Sequence, residues 1–196
     1  CAIAGGDVNS WEGPLVISVT ALGEVQPGRE WRRSGARPGD QILVTGSFGG
    51  SILGKHFEFV PRVAEALWLA ENAEIHAAID VSDGLSLDLA RLCEASGCGA
   101  EIDPQKIPIA PAAAKRTANG PGGRSPLEHA LSDGEDFELI LAVPPECAAE
   151  SLRRQPLDLP LTAMGRFVER PGLYALGTSG EYEPLVPRGY EHRLDQ

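Results

Sequence analysis

The sequence is poor in the residues that build several common kinds of functional site. Its 196 residues include only four cysteines and four histidines, without the spacing of zinc ligands or of a Cys-x-x-Cys pair. The Gly-x-Ser-x-Gly pattern of serine hydrolases is also missing. We therefore expect no zinc site and no acyl-enzyme chemistry. The unpaired cysteines indicate a reducing compartment, the cytoplasm.

Positive charge is scarce as well. The chain has 17 Lys and Arg against 28 Asp and Glu, a net charge of -11, whereas binding a nucleic-acid backbone requires a basic face. No apolar run approaches the ~18 residues that cross a bilayer. We therefore expect no nucleic-acid or membrane partner, and a polyanionic substrate would need metal ions to bridge it.

Glycine and acidic residues, by contrast, recur together in short clusters. The acidic clusters are Gly-Gly-Asp at 5–7, Asp-Val-Ser-Asp-Gly-Leu at 80–85 and Asp-Gly-Glu-Asp at 133–136, and a basic Arg-Arg-Ser-Gly lies at 32–35. Each lies at the edge of an apolar run, where side chains can converge on a ligand. Magnesium prefers hard oxygen ligands and usually takes one or two carboxylates besides phosphate. Together the clusters predict a magnesium and phosphate site.

The central cluster falls on a predicted strand-to-helix turn. Asp80 and Asp83 flank Ser82 there, where free backbone N–H groups and the helix dipole favour anions. The alternative is purely structural, with Asp83 capping the helix and Asp80 ending the strand. The same two interpretations, ligand contact or solvated loop charge, apply to three further residues: Asp7, Arg33 and Glu135.

A second glycine segment imitates a phosphate-binding loop. Residues 49–56 read Gly-Gly-Ser-Ile-Leu-Gly-Lys-His, close to the pattern GxxxxGK[ST] after a strand. His56 stands where the magnesium-binding hydroxyl belongs, and Ile52 and Leu53 are typical of the buried side of a helix. The competing interpretation is a glycine turn that leads into a packed helix with an exposed Lys55.

Hydrophobic patterning predicts an α+β fold, a mixed sheet covered by helices. Strands are expected at 15–25, 41–45, 77–81, 100–102, 137–143, 161–168 and, as an edge strand, 173–175. Helices are expected at 51–56, 62–72, 111–118 and 145–153, with another that starts at Ser82 or Asp83 and closes at Gly97. We assign residues 1–25 to a linker and long strand and residues 26–196 to the α+β domain. The absence of an initiator Met indicates a piece of a longer protein.

These motifs, in this order, resemble the carboxy-terminal part of thiamine-monophosphate kinase, in the aminoimidazole-ribonucleotide synthetase superfamily. The matching segments are 5–7, 34–40, 44–46, 61–63, 79–85, 93–97 and 134–139. The resemblance implies phosphorylation of thiamine monophosphate to thiamine diphosphate by direct in-line transfer from ATP, the co-substrate, with Mg²⁺ as cofactor. It also implies a homodimer of the full-length protein.

The resemblance assigns a role to each candidate residue. It implies magnesium ligands at Asp7, Asp80 and Asp83, nucleotide contacts at Arg33 and Ser82, and a thiamine contact at Glu135. Catalysis would come from positioning and charge neutralisation rather than from a catalytic side chain. The other metal-binding aspartates would belong to a preceding ATP- and metal-binding domain that this chain lacks, so we expect the chain alone to be inactive.

Three departures from the family pattern concern the substrate pocket. Pro187 stands where the family often has a thiamine-contacting Trp, so that contact is lost or is supplied by Tyr190. Gly50 replaces the aspartate of a Gly-Asp-Ser loop, and Asp133 replaces a glycine. Two rival interpretations remain: a sister enzyme of the superfamily with another substrate, and a binding domain without catalysis.

Overall fold

A computed structural model describes residues 2–119 and 123–191. The chain divides into two units, Cys1–Glu30 and Trp31–Gln196. Within the described part of the first unit there is no helix or strand. The strand predicted over 15–25 is therefore wrong for this chain: its β-branched pattern suits a strand, but a strand forms only where a partner completes the hydrogen-bond ladder.

The described part of the second unit contains seven strands and six helices. The strands are β1 (Gln41–Thr45), β2 (Ala77–Asp80), β3 (Gly99–Ile102), β4 (Leu139–Val143), β5 (Leu161–Val168), β6 (Gly172–Leu176) and β7 (Tyr182–Pro184). The helices are α1 (Lys55–Glu58), α2 (Val63–Asn72), α3 (Leu85–Ser96), α4 (Pro111–Asn119), α5 (Pro126–Ser132) and α6 (Pro145–Arg154). Two 3₁₀ turns, Ser51–Leu53 and Pro104–Lys106, complete the set.

All seven strands form one mixed sheet in the order β2-β4-β1-β5-β3-β6-β7. Five neighbouring pairs are antiparallel, and only β3 and β6 run parallel. The expected mixed sheet is confirmed. The strand predicted at 173–175 is not an edge, because β7 pairs with β6 and forms the edge instead.

Helices cover both faces of this sheet. Ile42 and Val44 of β1 join a buried cluster with Leu85 and Leu89 of α3. Leu43, between them, points the other way and joins Leu69 of α2 in a second cluster, as the two-residue period of a strand requires. The sheet is thus the middle layer, with α3 on one face and α2 on the other.

Helix α3 carries the central acidic cluster at its start. It ends at Gly97, whose left-handed conformation (φ 68°) lets its N–H bond the carbonyl of Glu94 while Cys98 bonds that of Cys93, a Schellman closure. The end predicted at Gly97 is confirmed. None of the helices in the described ranges is long and apolar enough to cross a membrane.

Candidate functional site

The turn between β2 and α3 is held by a carboxylate that sequence reasoning missed. Asp88, 1% exposed, accepts hydrogen bonds from the backbone N–H groups of Ser82, Asp83 and Gly84 at 3.1, 2.9 and 3.1 Å. The expected cap at Ser82 or Asp83 is wrong, because the N-cap residue is Gly84. A buried acid four residues into the helix does this work instead, which leaves the Ser82 and Asp83 side chains for other contacts.

Asp83 already has a cationic partner. Its carboxylate pairs with the guanidinium of Arg91, which also bonds Asp88 at 2.8 Å. The hydrogen bond to Asp83 is the main reason that the pKa of Arg91 is raised, with Asp88 adding to it. For Asp88 burial dominates and raises the pKa against the opposing backbone and Arg91 contacts. A metal at Asp83 would have to compete with this ion pair.

The acidic loop after α5 packs directly onto the same turn. The N–H of Glu135 bonds the carbonyl of Ser82 at 2.7 Å, and that of Phe137 bonds Val81 at 2.8 Å. Both Glu135 and Phe137 have positive φ, 61° and 52°, a conformation that non-glycine residues rarely adopt and that clusters at functional sites. The hydrogen bond from Glu135 to Ser82 brings Ser82, Asp83 and Glu135 together. The side chain of Glu135 is exposed.

These residues line a cleft of about 580 Å³, which we call the central cleft. Its walls also include Arg116, Arg124 and Tyr190. The two arginines approach Asp133 at 3.5 and 3.3 Å. No sequence motif marked them, because they come from α4 and from the segment before α5 and meet only in the fold. The cleft therefore combines the exposed carboxylate of Glu135 with half-buried arginines.

The other predicted site residues lie elsewhere. Asp80 ends β2 with an exposed side chain. Arg33 lies at the far end of α3, where its carbonyl accepts a hydrogen bond from Ser96 at 3.2 Å. Twelve helical residues, about 18 Å at 1.5 Å each, separate it from Ser82, so this chain does not unite its two predicted nucleotide contacts.

Asp7 belongs to the first unit. Its carboxylate accepts hydrogen bonds from the backbone N–H of Val8 and the side chain of Asn9 at 2.8 and 3.2 Å. Among the described residues, no group of three or more His, Cys, Asp or Glu side chains is placed to hold a metal ion. Asp80 and Asp83 supply the oxygen donors that magnesium prefers, and one or two carboxylates is its usual share beside phosphate.

In the loop that resembles a phosphate-binding loop, carboxylates of the protein bond the groups that would otherwise bind phosphate. The N–H of Gly49 donates to Asp136 at 3.0 Å, and that of Gly50 donates to Asp133 at 3.0 Å. The Lys55 ammonium bonds Glu138 at 2.8 Å and the Ser47 carbonyl at 2.9 Å. These groups are the ones a phosphate would need. The segment is a glycine turn and not a phosphate loop. The packed helix expected after it is wrong, because Ile52 and Leu53 are exposed and no residue of α1 is buried. Lys55 is half-buried against Glu138 rather than exposed.

Glu138 is the centre of this buried network. It accepts hydrogen bonds from Arg62 at 2.6 and 2.7 Å and from the Thr45 hydroxyl at 2.8 Å. Burial alone would raise the pKa of Glu138, but the Arg62 and Lys55 contacts together lower it. For Asp136 burial prevails over Gly49 and Lys55, and it raises the pKa to about 7.

Asp133 explains one of the departures from the family pattern. Its carboxylate contacts Nδ1 of His129 at 3.0 Å in addition to Gly50, and it is 7% exposed. It therefore joins the end of α5 to the glycine turn. Asp133 is thus a buried carboxylate that orients Arg116 and Arg124 at the edge of the central cleft.

Comparison with known proteins identifies the family. The sequence model of the family described as AIR synthase related protein, C-terminal domain, matches residues 37–176. The chain belongs to this family. The match covers the whole sheet except β7, and it includes both the central acidic cluster and the acidic loop.

Relatives and solved structures point to one branch of this family. A thiamine-monophosphate kinase from Rhodopirellula baltica is 47% identical over 97% of the chain and 59% of its own length. A structure described as AaThiL complexed with AMPPCP and TMP superposes with a TM-score of 0.66 at 28% identity, covering 82% of this chain and 53% of that one. Thiamine-monophosphate kinase from Stenotrophomonas maltophilia gives 0.64 at 30% identity, with 81% and 56% covered.

The chain thus spans little more than half the length of each of these proteins. The resemblance to thiamine-monophosphate kinases is confirmed.

Proposed function

We propose that the chain is the carboxy-terminal part of an ATP-dependent thiamine-monophosphate kinase and that the central cleft binds the acceptor. Thiamine monophosphate carries a cationic thiazolium ring and a phosphate group. The observation that carries the proposal is that the cleft offers exposed Glu135 together with the guanidinium groups of Arg116 and Arg124. A related structure, AaThiL complexed with AMPPCP and TMP, supports the same substrate pair.

The roles of the residues follow from charge and position. Glu135 faces the cationic ring, and Tyr190 offers an aromatic surface in the place of the family's tryptophan. The backbone N–H groups of the turn are bonded to Asp88, so Ser82 contacts the nucleotide through its side chain. Direct in-line transfer requires the two substrates to be aligned, and alignment with charge neutralisation is the main source of catalysis in such reactions.

We propose that Asp80 and Asp83 of the second unit are magnesium ligands, and we propose the same role separately for Asp7 of the first unit. Bound magnesium would neutralise charge on the transferred phosphoryl group and on the leaving nucleotide. Arg91 would then be the counter-ion of Asp83 whenever the metal is absent. Arg33 lies about the length of α3 away from Ser82. A nucleotide contact by Arg33 would therefore lie outside the central cleft.

The remaining parts of the proposal concern the whole protein. We propose that residues 1–25 follow an amino-terminal ATP- and metal-binding domain, and that the full-length enzyme is a homodimer. The strand-like pattern of residues 15–25, which forms no ladder in this chain, supports a partner outside it. The three cysteines that the structure describes are free thiols, which supports a cytoplasmic location.

The test is product formation. The full-length protein should convert thiamine monophosphate to thiamine diphosphate only with ATP and Mg²⁺, as measured by chromatography. The 196-residue chain alone should form no product above a no-protein control. Use of a different acceptor would indicate a sister enzyme, and absence of any ATP consumption would indicate a binding domain.

A further inference from the structure

Residues 186–190 form a strap that borders two cavities. Tyr190 lines the central cleft near Asp83 and Glu135. Val186, Pro187 and Arg188 line a second cavity of about 740 Å³. The strap has no helix or strand structure. Because the strap borders open space on two sides, its position depends on a few contacts with α3 and on hydrogen bonds.

Ser86 provides the main attachment. Its side chain, 1% exposed in the first turn of α3, accepts a hydrogen bond from the N–H of Arg188 at 3.0 Å. The same hydroxyl lies 2.9 Å from the carbonyls of both Arg188 and Leu131. A hydroxyl carries one proton and can donate to one of these at a time while accepting from the amide. One buried oxygen thus links α3, the end of α5 and the strap.

A backbone hydrogen bond and a close approach at a glycine complete the attachment of the strap to α3. The N–H of Tyr190 donates to the carbonyl of Asp83 at 2.8 Å. Between the two attachments, a Cβ on Gly189 would lie 2.4 Å from that carbonyl oxygen and 2.8 Å from the Leu87 side chain. Only glycine permits this approach of strap and helix. The strap is therefore seated on the helix turn that carries Ser82 and Asp83.

We propose that Ser86 is a positioning residue for the acceptor. It does not line the central cleft. It fixes the strap so that Tyr190 forms part of the cleft wall. The inference rests on the proposed function of the cleft as the thiamine monophosphate site. It adds that acceptor affinity depends on a hydroxyl outside that cleft, whereas ATP affinity does not.

The first test is a split in Michaelis constants in the full-length enzyme. Loss of one hydrogen bond in Ser86→Ala should raise KM for thiamine monophosphate about five- to tenfold and leave KM for ATP within about twofold. Gly189→Ala, which keeps the hydroxyl but blocks seating of the strap, should shift the same constant in the same direction and further. Equal shifts for both substrates would overturn the proposal.

Ser151→Ala is the matched control. Ser151 is also a buried helical serine, but its hydroxyl has no hydrogen-bond partner within the described ranges. Its removal should leave both Michaelis constants and the melting temperature nearly unchanged. A loss of acceptor affinity in Ser151→Ala equal to that in Ser86→Ala would show a general packing effect and contradict the proposal.

The second test measures the strap without any substrate. Arg188 is exposed, so trypsin cleavage after it, followed by mass spectrometry of the released peptide, reports release of the strap. In the 196-residue chain, Ser86→Ala and Gly189→Ala should be cut several times faster there than the wild type and Ser151→Ala. Unchanged cleavage would refute the tether whatever the enzyme's substrate.

The two tests separate this inference from the proposed function. If the wild-type enzyme does not use thiamine monophosphate, the proposed function fails and the link from Ser86 to acceptor affinity fails with it. Faster cleavage would in that case still establish the tether. If the enzyme uses thiamine monophosphate but Ser86→Ala behaves as wild type in both tests, the inference alone is wrong.

Discussion

Glu135 and Glu138 lie three residues apart in one acidic loop and have opposite surroundings. Glu138 is 1% exposed and bonds Arg62, Lys55 and Thr45. Glu135 is exposed and lines the central cleft. The hydrogen-bonding capacity of the Glu138 carboxylate is used by the protein, whereas the Glu135 carboxylate faces the space that a ligand would fill. Acidic residues beside glycine therefore serve two purposes here, stability in one group and binding in the other.

The same contrast separates the two glycine turns. At the 49–55 turn, backbone N–H groups and Lys55 are bonded to buried carboxylates. At the 82–84 turn, the buried carboxylate of Asp88 accepts hydrogen bonds from the backbone N–H groups. Ser82 and Asp83 line the central cleft. We expect mutations in the buried group to change stability and mutations in the exposed group to change kinetics.

The largest expected effect is on the exposed side. Asp80→Asn in the full-length enzyme should lower the rate about 10² to 10³-fold, because it removes one charge from the magnesium ligands and keeps the shape. The melting temperature should stay within a degree or two, since Asp80 is exposed. Steady-state kinetics and calorimetry measure both quantities, and a near-normal rate would return Asp80 to a purely structural role.

The buried side should show the reverse. Glu138→Gln leaves Lys55 and Arg62 without their anion, and breaking such a buried pair should cost about 3 kcal/mol in the free energy of unfolding. Urea denaturation of the 196-residue chain measures it. Glu135→Gln is the matched control, with a change within about 0.5 kcal/mol. Equal losses in the two variants would remove the distinction drawn between the two glutamates.

The pKa of Asp136 gives a pH dependence with a defined sign. The value rises from an ordinary 3.8 to about 7 in the folded protein, so between these values the folded state holds a proton that the unfolded state has lost. Stability due to this group therefore falls as pH rises toward 7 and is constant above it. From pH 5 to 7 the change should be about 2 kcal/mol.

Asp136→Asn isolates this effect from other titrating groups. The variant mimics the protonated acid, so wild type should lose stability relative to it as pH increases from 5 to 7, in urea titrations at each pH. The neighbours Lys55, Glu138 and Asp133 also act on this carboxyl and are unchanged in the comparison. A difference between the two proteins that does not vary with pH would contradict the burial argument.

A smaller effect is expected at Lys55. Lys55→Ala should lower the free energy of unfolding by about 1 to 2 kcal/mol, because the side chain is only partly buried and Arg62 still pairs with Glu138. In the full-length enzyme, KM for ATP should remain within a few-fold of normal. A collapse of ATP affinity with unchanged stability would restore the phosphate-loop interpretation.

The periodic parts of the fold were predictable from the sequence. Strands β1 and β5 occur over the residues that we predicted, and α2 starts one residue later than its pattern indicated. Residues 15–25 show the limit of this reasoning, because β-branched alternation reports suitability for a strand and not the presence of a partner. Helix α5 was missed, since its seven residues are few and closely follow the Gly- and Pro-rich run at 120–123.

The site was predictable only where its residues share a motif. Ser82, Asp83 and Glu135 meet in the cleft because β2 and β4 are antiparallel neighbours. The turn that follows β2 therefore lies beside the acidic loop that precedes β4. Arg116 and Arg124 gave no sequence signal, because the contact that orients them, Asp133, comes from another segment. Which carboxylates of the acidic loop turn inward depends on backbone conformation, including positive φ at Glu135 and Phe137, which composition does not reveal.

The most direct test of the account is the effect of Glu135→Gln on the two substrates of the full-length enzyme. The change removes the charge and keeps the shape, and a charge-assisted contact is worth about 1.5 to 3 kcal/mol, or roughly ten- to hundredfold in affinity. With Glu181→Gln, an exposed glutamate in the turn before β7, as control, KM for thiamine monophosphate should rise by that factor while KM for ATP stays nearly constant. Equal shifts for both substrates, or none for either, would contradict the assignment of Glu135 to acceptor binding.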